Sequence, residues 1–471
     1  MSHGHSTASF DRVLGRWDVL AVAFGAMIGF GWIVLTGGFL QDAGTLGSAL
    51  AFVVGGAIMA LVGLTYAELV SAMPQAGGEH NYVLRGLGSR SAFVCSWSLV
   101  LGYISVVAFE AVALPQTVLF LAPDMLAGKL WTVADYDVHA SWVVVGIIGA
   151  VLITGLNYVG VRPAAVFQTF AVLFLLIVGA LLMFGSFIGG DTDNMRPLFN
   201  DGVGGLIAVL VAVPFLFVGF DVIPQSAEEI KLPFKQIGKL VVVSVLAAAA
   251  FYILVMLTVG SSLPQDVLAE SDLSAADGMA ALWSSKTMGD VLVVGGIAGI
   301  LTSWNGFMLG ASRLLYAMAT SGMVPNWFAK LHPTYRTPSN AILFIGGLSI
   351  LAPLFGRQML VWLVDAGGFV IVVAFFFVAV TFVVLRYREP EMERPFRVAG
   401  GRGVGTAAAG LTLVLGILFM PGMPAALVWP YEWLILIAWW GLGLVLVLRL
   451  PRIAPGPDAE HQLVEATHGK K

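Results

Sequence analysis

The sequence predicts an all-α integral membrane protein of twelve transmembrane helices, and three observations carry that reading. Of its 471 residues, 58% are hydrophobic and only 11% charged, with a mean hydropathy of +0.91, far from the profile of a water-soluble domain. Apolar windows of about 20 residues, the length that crosses a bilayer, recur along the whole chain. Two of these windows, the first and the sixth, are interrupted in mid-span at corresponding places.

The windows place spans near 17–40, 47–72, 92–121, 141–158, 163–188, 204–229, 236–260, 288–320, 339–355, 358–386, 404–420 and 428–449. Basic residues are retained on the cytoplasmic side of such spans. With the N-terminus inside, all but Lys129, Arg196, Lys286 and Arg357 of the 24 Lys and Arg fall in inner segments. That bias predicts two cytoplasmic termini and a multi-pass protein of the plasma membrane, the inner membrane in a bacterium.

Between the spans no soluble domain intervenes, since the longest polar segments are 261–286, 386–403 and the tail after Pro451. The chain therefore divides into an N-terminal tail (1–16), a core (17–386), a cytoplasmic link (387–403), two helices (404–449) and a C-terminal tail (450–471). Gly29 and Gly219, at the two breaks, stand 190 residues apart, the length of five spans with their loops. Spans one to five (17–188) and six to ten (204–386) thus read as two repeats, and because five is odd the second is inverted. Spans eleven and twelve, without intramembrane charge, read as peripheral additions. Met73–Tyr82 is rich in turn residues and poor in charge, which predicts a short amphipathic hairpin near the cytoplasmic opening.

Other classes are excluded by composition. No basic patch stands outside the inner-loop bias, so nucleic acid is not an expected partner, and the acidic outer loops read as solvation. Cys95 is the only cysteine, which rules out an intrachain disulfide and a cysteine-based metal cluster. His3 and His5 lie in a polar stretch without a signal-peptide profile, read as a flexible tail rather than a metal site. No metal and no cofactor are expected. The bilayer is the environment the chain requires, and the sequence is compatible with a monomer or a homodimer.

The first break is Gly25-Ala26-Met27-Ile28-Gly29-Phe30-Gly31 and the second is Pro214-Phe215-Leu216-Phe217-Val218-Gly219-Phe220-Asp221. A helix broken in hydrocarbon bares backbone groups that lipid cannot satisfy, so such breaks persist where they line a cavity or a binding site. A matched pair marks a secondary transporter. N–H groups freed around Gly29, Phe30 and Gly31 begin the outer half-helix, whose positive end favours a carboxylate. Phe215, on the helix side of the second break, is the candidate gate, with Phe217 and Phe220 beside it.

Carboxylates inside a membrane are expensive and as a rule functional. Glu110 in span three, Asp221 at the sixth-span break and Asp365 in span ten are the candidates, with Glu68 and Asp290 nearer span ends. No Lys or Arg is expected deep enough to pair with them. Glu110 and Asp221 are therefore the candidate groups for proton coupling. In span eight, Thr302 and Ser303 together with carbonyls of the first break form a candidate Na⁺ site, helix–helix adhesion being the alternative.

These residues resemble the amino acid–polyamine–organocation permease superfamily. Gly25 to Gly31 is similar to its GxxIGxG signature, Tyr66-Ala67-Glu68-Leu69 with Met73-Pro74-Gln75-Ala76-Gly77-Gly78 to its second-span YAEL…MPxAGG, and Gly219-Phe220-Asp221 with Ala227-Glu228-Glu229-Ile230-Lys231-Leu232-Pro233 to its sixth-span pattern. Ser312 to Ala319 with Gly322-Met323-Val324-Pro325 resembles the eighth. The resemblance implies five-plus-five inverted repeats with two extra helices and alternating access. It implies substrate held by Ile28, Gly29, Phe30 and Gly31 at the carboxylate end and by Phe215, Val218 and Gly219 at the amine end, with Phe215 as gate. It also implies Glu110 on the substrate side and Phe307 facing the site. Two departures stand out: Phe30 replaces the usual Ser or Thr between the glycines, and Leu175 stands where proton-coupled members carry a fifth-span lysine.

The expected function is secondary active transport of an amino acid or organic amine by alternating access, proton-coupled through Glu110 or Asp221. Substrate contacts extend to Ser303 and Phe307. Exchange with a product amine and sodium symport through Thr302 and Ser303 are the alternatives. A membrane-embedded sensor would share much of this sequence, but the short tails offer no output module. The chain is not expected to be an enzyme: an intramembrane aspartyl protease built on Asp221 and Asp365 would need a GxGD motif that neither has.

Overall fold

A backbone in lipid must satisfy its own polar groups, which makes each long apolar run a helix. The computed structural model describes residues 10–468, so His3 and His5 lie outside it. Among the described residues, eleven helices are long and apolar enough to cross a membrane, and the shorter apolar helix Ser339–Phe355 occupies the ninth window. Helix ends agree with the windows to within a few residues: in the first span helix continues beyond Val34 as Thr36–Ala43, past the expected 40, while the sixth, Gly202–Gln225, ends short of the expected 229.

The first span is a helix over Arg16–Met27, an irregular turn at Ile28, Gly29 and Phe30, and a half-helix from Gly31. Ile28 N–H donates to the Phe24 carbonyl at 2.9 Å, and helical bonding resumes only where Ile33 N–H donates to Phe30. The sixth span runs as helix over Gly202–Phe217, opens at Val218 and Gly219, and resumes as Val222–Gln225. Gly219 has φ +131°, a conformation only glycine adopts without strain. A Cβ there would also lie 2.8 Å from the Ala26 side chain and 2.9 Å from Met27 N, so the two breaks cross face to face. Span eight, Lys286–Thr320, closes on them: a Cβ on Gly299 would lie 2.8 Å from the Gly29 carbonyl.

The face that bears both described chain ends is sealed by segments the sequence leaves as tails and loops. Val13 and Leu14 N–H both donate to the Glu229 carbonyl at 2.9 Å, and Lys231 N–H returns to Leu14. The stretch read as a hairpin is a turn followed by a buried helix, Glu79–Leu87. The C-terminal tail forms a further helix, Ala459–His468, packed on it. On the opposite face, a two-stranded hairpin (Lys129–Val133 with Tyr136–His139) and the helices Gln265–Glu270 and Ser274–Leu282 cover the bundle.

Two charge expectations need correction. Glu68 is not left without a basic partner: Arg386 engages its carboxylate through two nitrogens, Arg394 Nε lies at 3.0 Å, and Val398 N–H donates to it at 2.8 Å. The reason is that Arg386 lies in the last turn of the tenth helix, Met359–Arg388, and the link that follows folds back onto span two. Span twelve is not free of intramembrane charge either, because Glu432 at its start is buried beside Asp365 of span ten.

Removing one partner of a buried ion pair leaves an uncompensated charge and costs roughly 3–5 kcal/mol, whereas exposed pairs contribute at most about 1 kcal/mol. Glu68→Ala is therefore expected to lower the thermal unfolding midpoint of the purified protein strongly. Asp290→Ala, which removes only the exposed pair to Lys286, should leave it nearly unchanged.

Candidate functional site

Where the two breaks cross, the backbone groups they free are met by specific side chains. Asp221 folds back on its own turn: its Oδ1 accepts from Gly219 N–H at 2.7 Å and its Oδ2 from the Tyr103 hydroxyl at 2.8 Å. The Tyr252 hydroxyl donates to the Met27 carbonyl at 2.9 Å, and the Thr302 hydroxyl to the Gly25 and Gly299 carbonyls at 3.2 and 2.9 Å. Behind Thr302, Gln168 Nε2 donates to the Ala21 and Thr302 carbonyls, and its Oε1 accepts from Asn305 at 2.8 Å. Asn157 Nδ2 donates in turn to Asn305 Oδ1.

Glu110 reaches the first break from span three. The donors beside its carboxyl are the Ser303 hydroxyl and the backbone N–H of Phe30, and its Oε2 is buried without a hydrogen-bond partner. A Cβ on Gly29 would lie 2.6 Å from Glu110 Oε1 and 2.8 Å from Ser303 Oγ. Glu110, Gly29 and Ser303 are thus in direct contact at the positive end of the outer half-helix. Among the described residues no basic side chain forms an ion pair with Glu110 or Asp221. The deepest arginine, Arg313, is committed to Glu229 at 2.9 Å.

The structure therefore gathers Ile28, Gly29, Phe30, Gly31, Glu110, Thr302 and Ser303 around the first break, and Phe215, Val218, Gly219 and Asp221 around the second. Asp221 and Glu110 are all but inaccessible, as are Ile28, Phe30, Val218 and Phe307. Phe215 packs edge-on against Phe109, centroids 5.7 Å apart, and against Gly367 of span ten. Phe307 sits 5.5 Å from the Tyr103 ring. Asp365 belongs elsewhere, with Glu432 at the edge of the bundle. Leu175 is fully buried and lies 3.0 Å from a Cβ placed on Gly299, so a hydrocarbon side chain fills the place beside the first break.

Sequence reasoning missed Tyr103, Tyr252, Gln168 and Asn157. Each is a lone polar residue in an apolar helix, a signal shared with ordinary helix adhesion. Only the breaks they serve distinguish them.

The sequence model described as amino acid permease matches residues 14–443. The chain belongs to the amino acid permease family. It is a membrane transporter and not an enzyme. It is 28% identical to the branched-chain amino acid permease BcaP of Bacillus subtilis over 83% of this chain and 84% of that one. It is 26% identical to the methylthioribose transporter of the same organism over 94% of each. With the cationic amino acid transporter 3, mitochondrial, of Arabidopsis thaliana it shares 27% identity over 83% of this chain and 65% of that protein.

Overpacking a filled interior costs about 1–3 kcal/mol. In the permease, Gly29→Ala is expected to cut substrate affinity by roughly ten- to a hundredfold, while Gly38→Ala, whose Cβ meets nothing within 4 Å, leaves it unchanged. Binding titrations on the two purified variants check this.

Proposed function

We propose that the permease takes up an amino acid with an uncharged, largely apolar side chain, coupled to protons through Glu110. The observation that carries the reading is the position of Glu110 against Phe30 N–H and Ser303. Those donors, at the positive end of a half-helix, are the ones a substrate carboxylate would use. Two carboxylates cannot share them while both are ionised, because neither has a basic partner. Substrate therefore binds when Glu110 carries a proton, which ties one to the other. The apolar surroundings, Phe109, Phe215 and Phe307, offer a cationic side chain no carboxylate beyond the Asp221 that the amine would use, which favours an apolar one.

The amine would meet the carbonyls freed around Val218 and the Asp221 carboxylate. Phe215 would close over the ligand from the second break. Because the proton neutralises Glu110 and the ligand amine pairs with Asp221, the loaded protein can cross between outward- and inward-open forms that the half-loaded protein crosses slowly. The basic bias of the loops supports a plasma-membrane protein whose face with both described chain ends lies toward the cytoplasm.

A solute without a carboxylate is the second reading, favoured by Phe30 between the two glycines and by the occupied N–H group. Uptake into proteoliposomes separates the two. Leucine is expected to accumulate under an inward proton gradient, with uptake falling as external pH rises. Glu110→Gln should abolish accumulation, make uptake insensitive to pH and retain exchange of leucine across the bilayer. Accumulation of methylthioribose but not leucine, or leucine accumulation driven by sodium alone, would overturn the reading.

A further inference from the structure

A second carboxylate lies beneath Asp221, toward the face with both termini, and the transport cycle described so far does not use it. Glu79 opens the short helix Glu79–Leu87 and is fully buried. Its Oε2 accepts from Gln225 Nε2, on the second half of the broken sixth span. Gln225 also lies against the Tyr103 hydroxyl, which donates to Asp221. A continuous polar chain therefore joins Glu79 to Asp221. The groups facing Glu79 are Asp221, Tyr66, Tyr82, Cys95 and Tyr103, and no lysine or arginine contributes to its surroundings among the described residues. His80, on the same helix, is held neutral by burial, which pushes its ring down to about 4.

This cluster holds no cation. Glu79 Oε1 and Gln225 Oε1 are buried without a hydrogen-bond partner of good geometry, and the only hydroxyl set against the Glu79 carboxyl is that of the neutral Tyr66. Two buried carboxylates joined by one polar chain, with no cation between them, is an arrangement that a bound proton relieves.

We propose that Glu79 and Asp221 together form a second proton-binding site, distinct from Glu110, whose proton holds the termini-bearing side closed and is released to that side on opening. The reading rests on alternating access, and the geometry supplies the moving part. Glu79 and Gln225 sit on the two segments that must separate, and Gly77 N–H donates to the Gln225 carbonyl at 3.4 Å across the same seam. Burial lifts the closed-state Glu79 carboxyl well above the usual carboxylate range, with Asp221 adding to the shift. The open state hydrates it and restores an ordinary value. The closed form therefore binds the proton more tightly, is favoured at low pH, and is penalised increasingly as pH rises above the ordinary carboxylate value.

Cys95, the only cysteine and fully buried beside Glu79, reports the opening without any transport assay. Its alkylation by a small maleimide is followed in the purified full-length protein at pH 5 and pH 8. Wild type and Glu79→Gln should react at the same rate at pH 5. At pH 8 wild type should react about tenfold faster, since Gln is permanently neutral and keeps the seam shut; tenfold corresponds to one pK unit of linkage. Equal rates at both pH values would overturn the inference while leaving the Glu110 reading untouched. If Glu79→Gln does not fold, Asp221→Asn takes its place, with the same loss of the pH-dependent rate expected and a wild-type rate profile overturning the proposal.

Discussion

The constraint on which this structure depends is that no backbone group may go unsatisfied in hydrocarbon. Two helices are broken in mid-bundle, and each break bares N–H and C=O groups where water is scarce. The chain answers by crossing the breaks against each other and by bringing side chains to several of the freed groups. Asp221 caps its own turn, Tyr103 holds Asp221, Tyr252 takes the Met27 carbonyl and Thr302 takes Gly25. Small residues make the crossing close enough, Gly219 on Ala26 and Gly299 on the Gly29 carbonyl.

Function follows from what that solution leaves over. Glu110 faces Phe30 N–H and Ser303 with one oxygen unpartnered, and Glu79 has the same deficit below Asp221. A carboxyl without a counter-ion in a dry interior is costly as an anion, so each stands ready to hold a proton or to meet an incoming charge. By contrast, the carboxylates that only hold the fold are paired: Glu68 with Arg386 and Arg394, Glu229 with Arg313. Counter-ions separate the two kinds of buried acid more cleanly than depth does.

Much of this was legible in the sequence. Hydropathy windows locate all twelve spans, and Gly29 and Gly219 mark the breaks because backbone irregularity in an apolar run leaves a glycine signature. Glu110 and Asp221 are conspicuous for the same reason, as charges where none is cheap. What escaped is long-range pairing. Arg386 reads as a loop residue until the link folds back to Glu68, and span twelve reads as free of intramembrane charge until it lays Glu432 against Asp365. Glu79 reads as a turn residue because a nine-residue helix is too short for a periodic signal, and its burial comes entirely from neighbours distant in sequence. The helix Ala459–His468 is likewise fixed by docking rather than by propensity.

The central claim is that binding substrate and protonating Glu110 are one event. Calorimetric titration of leucine into the purified protein, repeated in buffers of different ionisation enthalpy, counts the protons taken up per ligand bound. At a pH where the empty site has released its proton, uptake of about one proton per leucine is predicted. Binding with no proton exchange at any pH would contradict it.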